Sequence, residues 1–331
     1  MEPAAQPGVI ASPEQDPAAS PAAPAGGPGA AFRRPDRASR RWGRAGAVVR
    51  AIRPLHWAKN LLVFVPLFEG HHGDVAATIP RALVTFAAFC LCASSAYVVN
   101  DLLDVREDRG HPRKRRRPFA AGELGPDEGL RLAAVLAALG LGAASFASTA
   151  VLVVLGVYWV GTLAYSLLFR QVVLLDVFFL AGFFTLRLLA GALAEGEPTN
   201  PWLFAVSTFA FLSLGWLKRT AELRAQAGRG AGALRPHRDP HLRVLALAGK
   251  ASGALAVVAS AGFISSRYAA ELYASPARLH ALLPLAAFWL ARMWWLADRG
   301  RVDEDPVRFV LGDRVSLVFG VAAAAITWLS L

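Results

Sequence analysis

Three aspartates, Asp101, Asp104 and Asp108, stand at spacings of three and four in the stretch NDLLDVREDRGHPRKRRRP, residues 100–118. On a helix those spacings bring the three carboxylates onto one face, where they repel one another unless a cation neutralises them. Mg2+ takes oxygen ligands of this kind, usually through one or two carboxylates, with phosphate oxygens completing its shell. The Asn100 amide can add an oxygen or orient a carboxylate. A run of five cations at 113–117 follows, and such groups hold phosphate oxygens. The expectation is a site for a magnesium-bound diphosphate or similar polyanion. Asn100, Asp101, Asp104 and Asp108 would be its metal ligands, and the three aspartates its catalytic groups. Lys114 and Arg117 are favoured as the donors that reach inward from the basic run, which also acts as a topogenic cluster.

These residues must be held by elements of unusual composition. Of 331 residues, 55% are hydrophobic, and they fall in long blocks, which implies a polytopic, all-α membrane protein. Nine spans are expected, at about 57–68, 79–99, 128–147, 149–169, 172–194, 201–217, 243–264, 279–297 and 314–331. The net charge of +11 then reads as a topology signal rather than as affinity for nucleic acid. Connections at 100–127, 170–171, 218–242 and 298–313 hold most of the Lys and Arg outside the N-terminal segment, so they and the N-terminus are expected on the cytoplasmic face. The three aspartates share that face. Residues 1–47 are rich in Ala, Pro and Gly and are expected to be a disordered tail. The membrane domain is 48–331. Cys90 and Cys92 lie within one apolar run, point to different faces of a helix, and read as small buried hydrophobes.

Other polar residues fall on the same predicted side or inside spans. Lys59 and Asn60 open the first span and can donate to a phosphate; interfacial snorkelling beside the belt residue Trp57 explains Arg53 and Lys59 equally well. Lys218, Arg219 and Glu222 end the sixth span, either as phosphate donors with a second acidic ligand or as a local i,i+3 and i,i+4 ion pair. Asp176 and Arg187 lie within the fifth span, where charges are costly and normally face the protein interior. Arg187 is a functional candidate whose alternative is a structural pair with another span, and Arg292 in the eighth span is similar. Tyr165 is either a pocket hydroxyl or a belt residue.

The extended stretch NDLLDVREDRGHPRKRRRPFAAGEL resembles the first Asp-rich motif of the UbiA superfamily of intramembrane prenyltransferases, NDxxDxxxD followed by KxxRPxAxG. With RPLHWAKNLLVFVPL upstream, it is most similar to the branch typified by decaprenyl-phosphate phosphoribosyltransferase. The resemblance implies nine helices around a central cavity and Mg2+ as cofactor. Aromatic prenyltransferases of the superfamily carry a second DxxxD motif after the sixth span, where this chain has Lys218, Arg219 and Glu222. That departure favours transfer of 5-phosphoribose from phosphoribosyl diphosphate to a polyprenyl phosphate. Lys59, Lys114, Arg117, Lys218 and Arg219 would share the phosphate charge. Partners would be a polyprenyl lipid and a soluble diphosphate at the cell membrane, with a homo-oligomer left open. The alternatives are prenyl transfer to an aromatic or other polar acceptor, and a transporter that uses the intramembrane charges. No internal repeat supports the transporter.

Overall fold

A computed structural model describes residues 43–68, 75–169, 173–196, 200–227, 240–302, 309–310 and 312–331. The expected disordered tail therefore lies almost wholly outside the described residues, apart from the start of the first helix. Every regular element among the described residues is helical. That is the economical solution in hydrocarbon, where a helix satisfies its own backbone polar groups. In chain order they are α1 (Arg44–Ile52), a 3₁₀ segment (Pro54–Phe64, then Pro66–Phe68), α2 (Val75–Leu103), α3 (Val105–Gly110), a 3₁₀ turn (Lys114–Arg116) and α4 (Pro126–Ala147). There follow α5 (Thr149–Ala164), which widens into a π-helical turn (Tyr165–Phe169), α6 (Val173–Glu195), α7 (Pro201–Ala227), α8 (Pro240–Ile264) and α9 (Arg267–Leu272). A 3₁₀ turn (Pro276–Ala281), α10 (Leu282–Asp298) and α11 (Arg314–Ser330) complete the chain.

Six stretches among the described residues are long and apolar enough to cross a membrane: Thr78–Leu103, Pro126–Ala147, Thr149–Phe169, Leu175–Glu195, Pro240–Ile264 and Pro276–Asp298. The expected count of nine is therefore not confirmed among the described residues. The first expected span is a 3₁₀ segment interrupted before Pro66, whose ring removes a backbone donor. The sixth belongs to α7, which is helical throughout but diluted by Trp, Ser and Thr. The ninth, α11, has 17 residues and reaches about 26 Å, short of the roughly 30 Å hydrocarbon core.

Small residues set the helix spacing. A Cβ on Gly140 of α4 would lie 2.7 Å from Cys92 Sγ and 3.0 Å from the Ala88 carbonyl of α2, so these two helices meet backbone to backbone. Ser95 of α2 also donates to the Ala133 carbonyl of α4 at 2.8 Å. Gly191 of α6 allows the Val63 carbonyl of the 3₁₀ segment to sit directly on the helix. One core joins Val63, Phe89, Leu155, Tyr158 and Ala190; another joins Val177, Trp216, Leu217, Met293 and Trp294. Helix α6 contributes to both and ties the two halves together.

Candidate active site

Helix α2 does not stop cleanly at its end. Asp104 has φ −88° and ψ 2°, a single-residue break before α3. The i to i−4 bonds nevertheless continue, from Asp104 N to the Asn100 carbonyl (3.0 Å) and from Asp108 N to the Asp104 carbonyl (2.8 Å). The helical face is thereby kept across the break. Asp101, Asp104 and Asp108 are 2%, 9% and 1% exposed, whereas Leu103, Arg106 and Glu107 between them are exposed. The three carboxylates thus point inward.

Two guanidinium groups meet them. Arg117 Nη1 lies 3.1 Å from Asp101 Oδ1 and 2.7 Å from Asp108 Oδ2, and Arg53 Nη2 lies 2.5 Å from Asp101 Oδ1. Asn100 Nδ2 donates to Asp104 Oδ2 at 3.3 Å. In the basic run, Lys114 and Arg117 are half-buried while Arg113, Arg115 and Arg116 are exposed. His111 Nδ1 accepts from the backbone of Arg113 and Lys114 at 3.2 and 3.3 Å, which winds the loop so that Arg117 turns back to the carboxylates.

Arg53 was assigned by sequence reasoning to interfacial snorkelling; the structure gives it a place in the acidic cluster. It terminates α1 in the left-handed conformation, φ 53° and ψ 62°, the one non-glycine with positive φ among the described residues. The signal in the sequence was Pro54, which disfavours αR for the residue before it. Ser94 of α2 fixes this corner. Its hydroxyl accepts from Trp57 Nε1 at 3.0 Å and lies 2.8 Å from the Ile52 carbonyl. The Arg53 guanidinium also rests 5.2 Å from the Tyr97 ring centroid. Helix α1 is clamped further by ion pairs from Arg44 to Glu128 and from Arg50 to Glu123.

The remaining candidates form separate groups. Arg187 is 5% exposed. Its Nε donates to Asn60 Oδ1 (2.8 Å), its Nη2 to the Tyr158 hydroxyl (3.0 Å) and its Nη1 to the Phe183 carbonyl (2.5 Å). Asn60 in turn donates to Cys90 Sγ at 3.3 Å. Cys90 precedes Asp101 by eleven residues, about 16 Å along a helix, so Asn60 and Arg187 join α6, α5, α2 and the 3₁₀ segment well away from the aspartates. Tyr158 was missed; a hydroxyl midway along a largely apolar span was its only signal. The Tyr165 hydroxyl bonds to Asp176, so Asp176 and Arg187 have different partners. Glu222 accepts from Arg219 at 3.2 Å and faces Lys218 at 3.6 Å, and no ion pair links this group to Asp101 or Asp108 among the described residues. Lys59 lies half-buried on the 3₁₀ segment. Arg292 forms a two-pronged pair with Asp313, at 2.7 and 3.0 Å; it anchors α11 to α10.

Among the described residues no three Asp, Glu, His or Cys side chains converge closely enough to enclose a metal ion, because Arg117 stands between Asp101 and Asp108. The donor chemistry nonetheless fits Mg2+. The donors are hard oxygens, and Asp101 Oδ2 is buried without a hydrogen-bond partner among the described residues.

The model of the UbiA prenyltransferase family matches residues 67–317. The chain belongs to that family. Its apolar helices make it a multi-pass membrane protein. It is 36% identical to the uncharacterized protein y4nM of Sinorhizobium fredii over 277 residues, which is 81% of this chain and 53% of that protein. The match to nodulation protein NoeC of Azorhizobium caulinodans is also 36%, over 81% of this chain and 88% of NoeC. The decaprenyl-phosphate phosphoribosyltransferase of Mycolicibacterium smegmatis is 37% identical over 56% of this chain and 59% of its own length. The chain thus spans about half of y4nM and under two thirds of the phosphoribosyltransferase. The solved UbiA homolog from Archaeoglobus fulgidus, bound to GPP and Mg2+, superposes with a TM-score of 0.61 at 18% identity, over 85% of this chain and 96% of that one; this bears on the fold.

Proposed function

We propose that the chain transfers 5-phosphoribose from phosphoribosyl diphosphate to a polyprenyl phosphate, at the cytoplasmic face of the cell membrane. The observation that carries this reading is the inward-facing set Asp101, Asp104 and Asp108 with two guanidinium groups, Arg53 and Arg117, already among the carboxylates. Such a site has ligands for a cation and donors for phosphate oxygens in one place. Asn100, Asp101, Asp104 and Asp108 would hold Mg2+. When bound, the ion supplies neutralising charge to the diphosphate.

The phosphate oxygen of the lipid forms the new bond to the anomeric carbon of ribose, and the bond from that carbon to the diphosphate breaks. Diphosphate departs with the electron pair. The attacking phosphate is an anion at neutral pH and needs no general base. Arg53 and Arg117 can exchange carboxylate for phosphate oxygens, stabilising the leaving group through preorganised donors. Lys114 lies on the same loop as Arg117, and Lys59 on the segment that follows Arg53, as further donors. Lys218 and Arg219 would hold the ribose 5-phosphate once released from Glu222. Arg187, Asn60 and Tyr165, set away from the aspartates, would meet the substrate only along the path of its lipid chain between the helices.

Support comes from similarity to the phosphoribosyltransferase of Mycolicibacterium smegmatis and from Lys218, Arg219 and Glu222 standing where prenyl-diphosphate users of the family carry DxxxD. One observation favours a second reading, prenyl transfer to a polar acceptor: the Archaeoglobus fulgidus homolog of this fold is bound to GPP and Mg2+. Purified protein offered labelled phosphoribosyl diphosphate with polyprenyl phosphate is expected to yield a labelled lipid, and Asp101→Ala and Asp104→Ala to abolish it with membrane insertion intact. Consumption of a prenyl diphosphate with no labelled lipid would establish the second reading instead.

A further inference from the structure

Away from the aspartates, α8 and α10 enclose a groove that opens on the lipid-facing side. A cavity of about 670 Å³ is lined by Lys250, Gly253, Val257, Leu290, Trp294 and Asp298, among others. A second cavity of about 460 Å³ continues it past Lys250 and Asp298 to Arg224 and Arg243. Volumes of this size are typical of ligand sites, about 300–1,000 Å³.

The groove has two chemically distinct ends. Along α8 its lining runs from Lys250 to Val258 and along α10 from Ala287 to Asp298, about 12 and 16 Å of helix respectively. That is about half the roughly 30 Å hydrocarbon core, the depth of one leaflet. The deep part is apolar, and Gly253, Ala254, Ala287 and Ala291 keep it open. The shallow end is cationic. Lys250 Nζ lies 3.0 Å from Asp298 Oδ2 and Arg224 Nη1 2.9 Å from Asp298 Oδ1. Two cations thus share one carboxylate, leaving positive charge in excess between them, and Arg243 lines the rim. Arg224 Nε is buried without an acceptor among the described residues. Trp295, with Arg299 stacked 3.8 Å from its ring centroid, marks the level of the membrane interface.

We propose that this groove binds a single-chain lipid phosphate, its chain along Gly253, Val257 and Ala291 and its phosphate at Lys250, Arg224 and Arg243. A single lane between two helices suits one chain better than the paired chains of a glycerophospholipid. The head end falls on the side that charge distribution assigns to the cytoplasm, together with the aspartates. The groove is therefore a holding site from which a polyprenyl phosphate can be drawn. The identity of that lipid rests on the proposed reaction; the groove itself rests on geometry.

The test is photolabelling of the full chain in phosphatidylcholine vesicles with a polyprenyl phosphate bearing a diazirine in its chain, followed by peptide mapping. Label is expected on Pro240–Ile264 and Leu282–Asp298, displaced by unlabelled polyprenyl phosphate and not by added phosphatidylcholine. Lys250→Gln should reduce it about tenfold, as for one lost charge-assisted hydrogen bond. Ala291→Trp, at an exposed lining position, should block the apolar lane without touching the cations. Label spread evenly over all lipid-facing helices, or unchanged in both variants, overturns the proposal. Phosphoribose transfer measured on the same vesicles reads the reaction separately: a labelled groove without transfer removes the proposed reaction and keeps the groove, and transfer without groove label does the reverse.

Discussion

Arg117 is the residue on which the acidic cluster turns, because one of its nitrogens reaches both Asp101 and Asp108. A lysine keeps the charge but lacks the second terminal nitrogen and the planar fork that leave Arg117 with further donors for a diphosphate while one nitrogen holds the carboxylates. Arg117→Lys is therefore expected to lower phosphoribose transfer by about 10²-fold, the scale of losing one preorganised donor, while initial membrane insertion stays normal; steady-state kinetics on purified protein checks this. Much at this scale was readable in the chain. Helical spacing alone put Asp101, Asp104 and Asp108 on one face, and the same face exists across the break at Asp104. Arg53 was not readable, because its partner lies 48 residues away and its sequence neighbourhood suits a membrane interface equally well. The partners of Asn60 were equally hidden: adjacency to Lys59 suggested a phosphate donor, and the 3₁₀ segment sets it against Arg187 and Cys90.

At the scale of elements, the long Ala- and Leu-rich runs were legible as helices, since apolar blocks in hydrocarbon have few alternatives. The 3₁₀ segment over Pro54–Phe64 was not, because hydropathy does not distinguish it from a short span. The attachment of α11 rests on Asp313, which caps the helix through Ser316 N at 2.8 Å and pairs with Arg292. The hydrogen bonds from Arg292, with those from Ser316, hold its carboxyl down at about 2 against an ordinary 3.8. A carboxyl lowered in the folded state contributes stability above its ordinary range and loses it as pH falls through the lowered value. Asp313→Asn should thus melt several degrees lower in detergent at neutral pH, a loss on the order of 2 kcal/mol for a charge-assisted pair. The gap to wild type should persist to about pH 4 and close towards pH 2. A gap that closes already near pH 6 would assign the difference to another group.

At the scale of the whole molecule, α6 joins two packed halves, and the charged ends of α2, α7, α8 and α10 fall on the side expected to face the cytoplasm. The acidic cluster sits in the first half and the α8–α10 groove in the second, so a lipid held by one must cross a molecule that α6 spans. The left-handed backbone at Arg53 sets folding against turnover across this architecture. A non-glycine residue held there costs about 1–2 kcal/mol, and the chain bears that cost to bring one guanidinium to Asp101. Arg53→Gly removes the cost and the ion pair together, so the two changes should nearly cancel in a thermal melt while phosphoribose transfer falls steeply. A variant that melts like wild type and turns over poorly would mark Arg53 as a position kept by selection for chemistry at the expense of the fold.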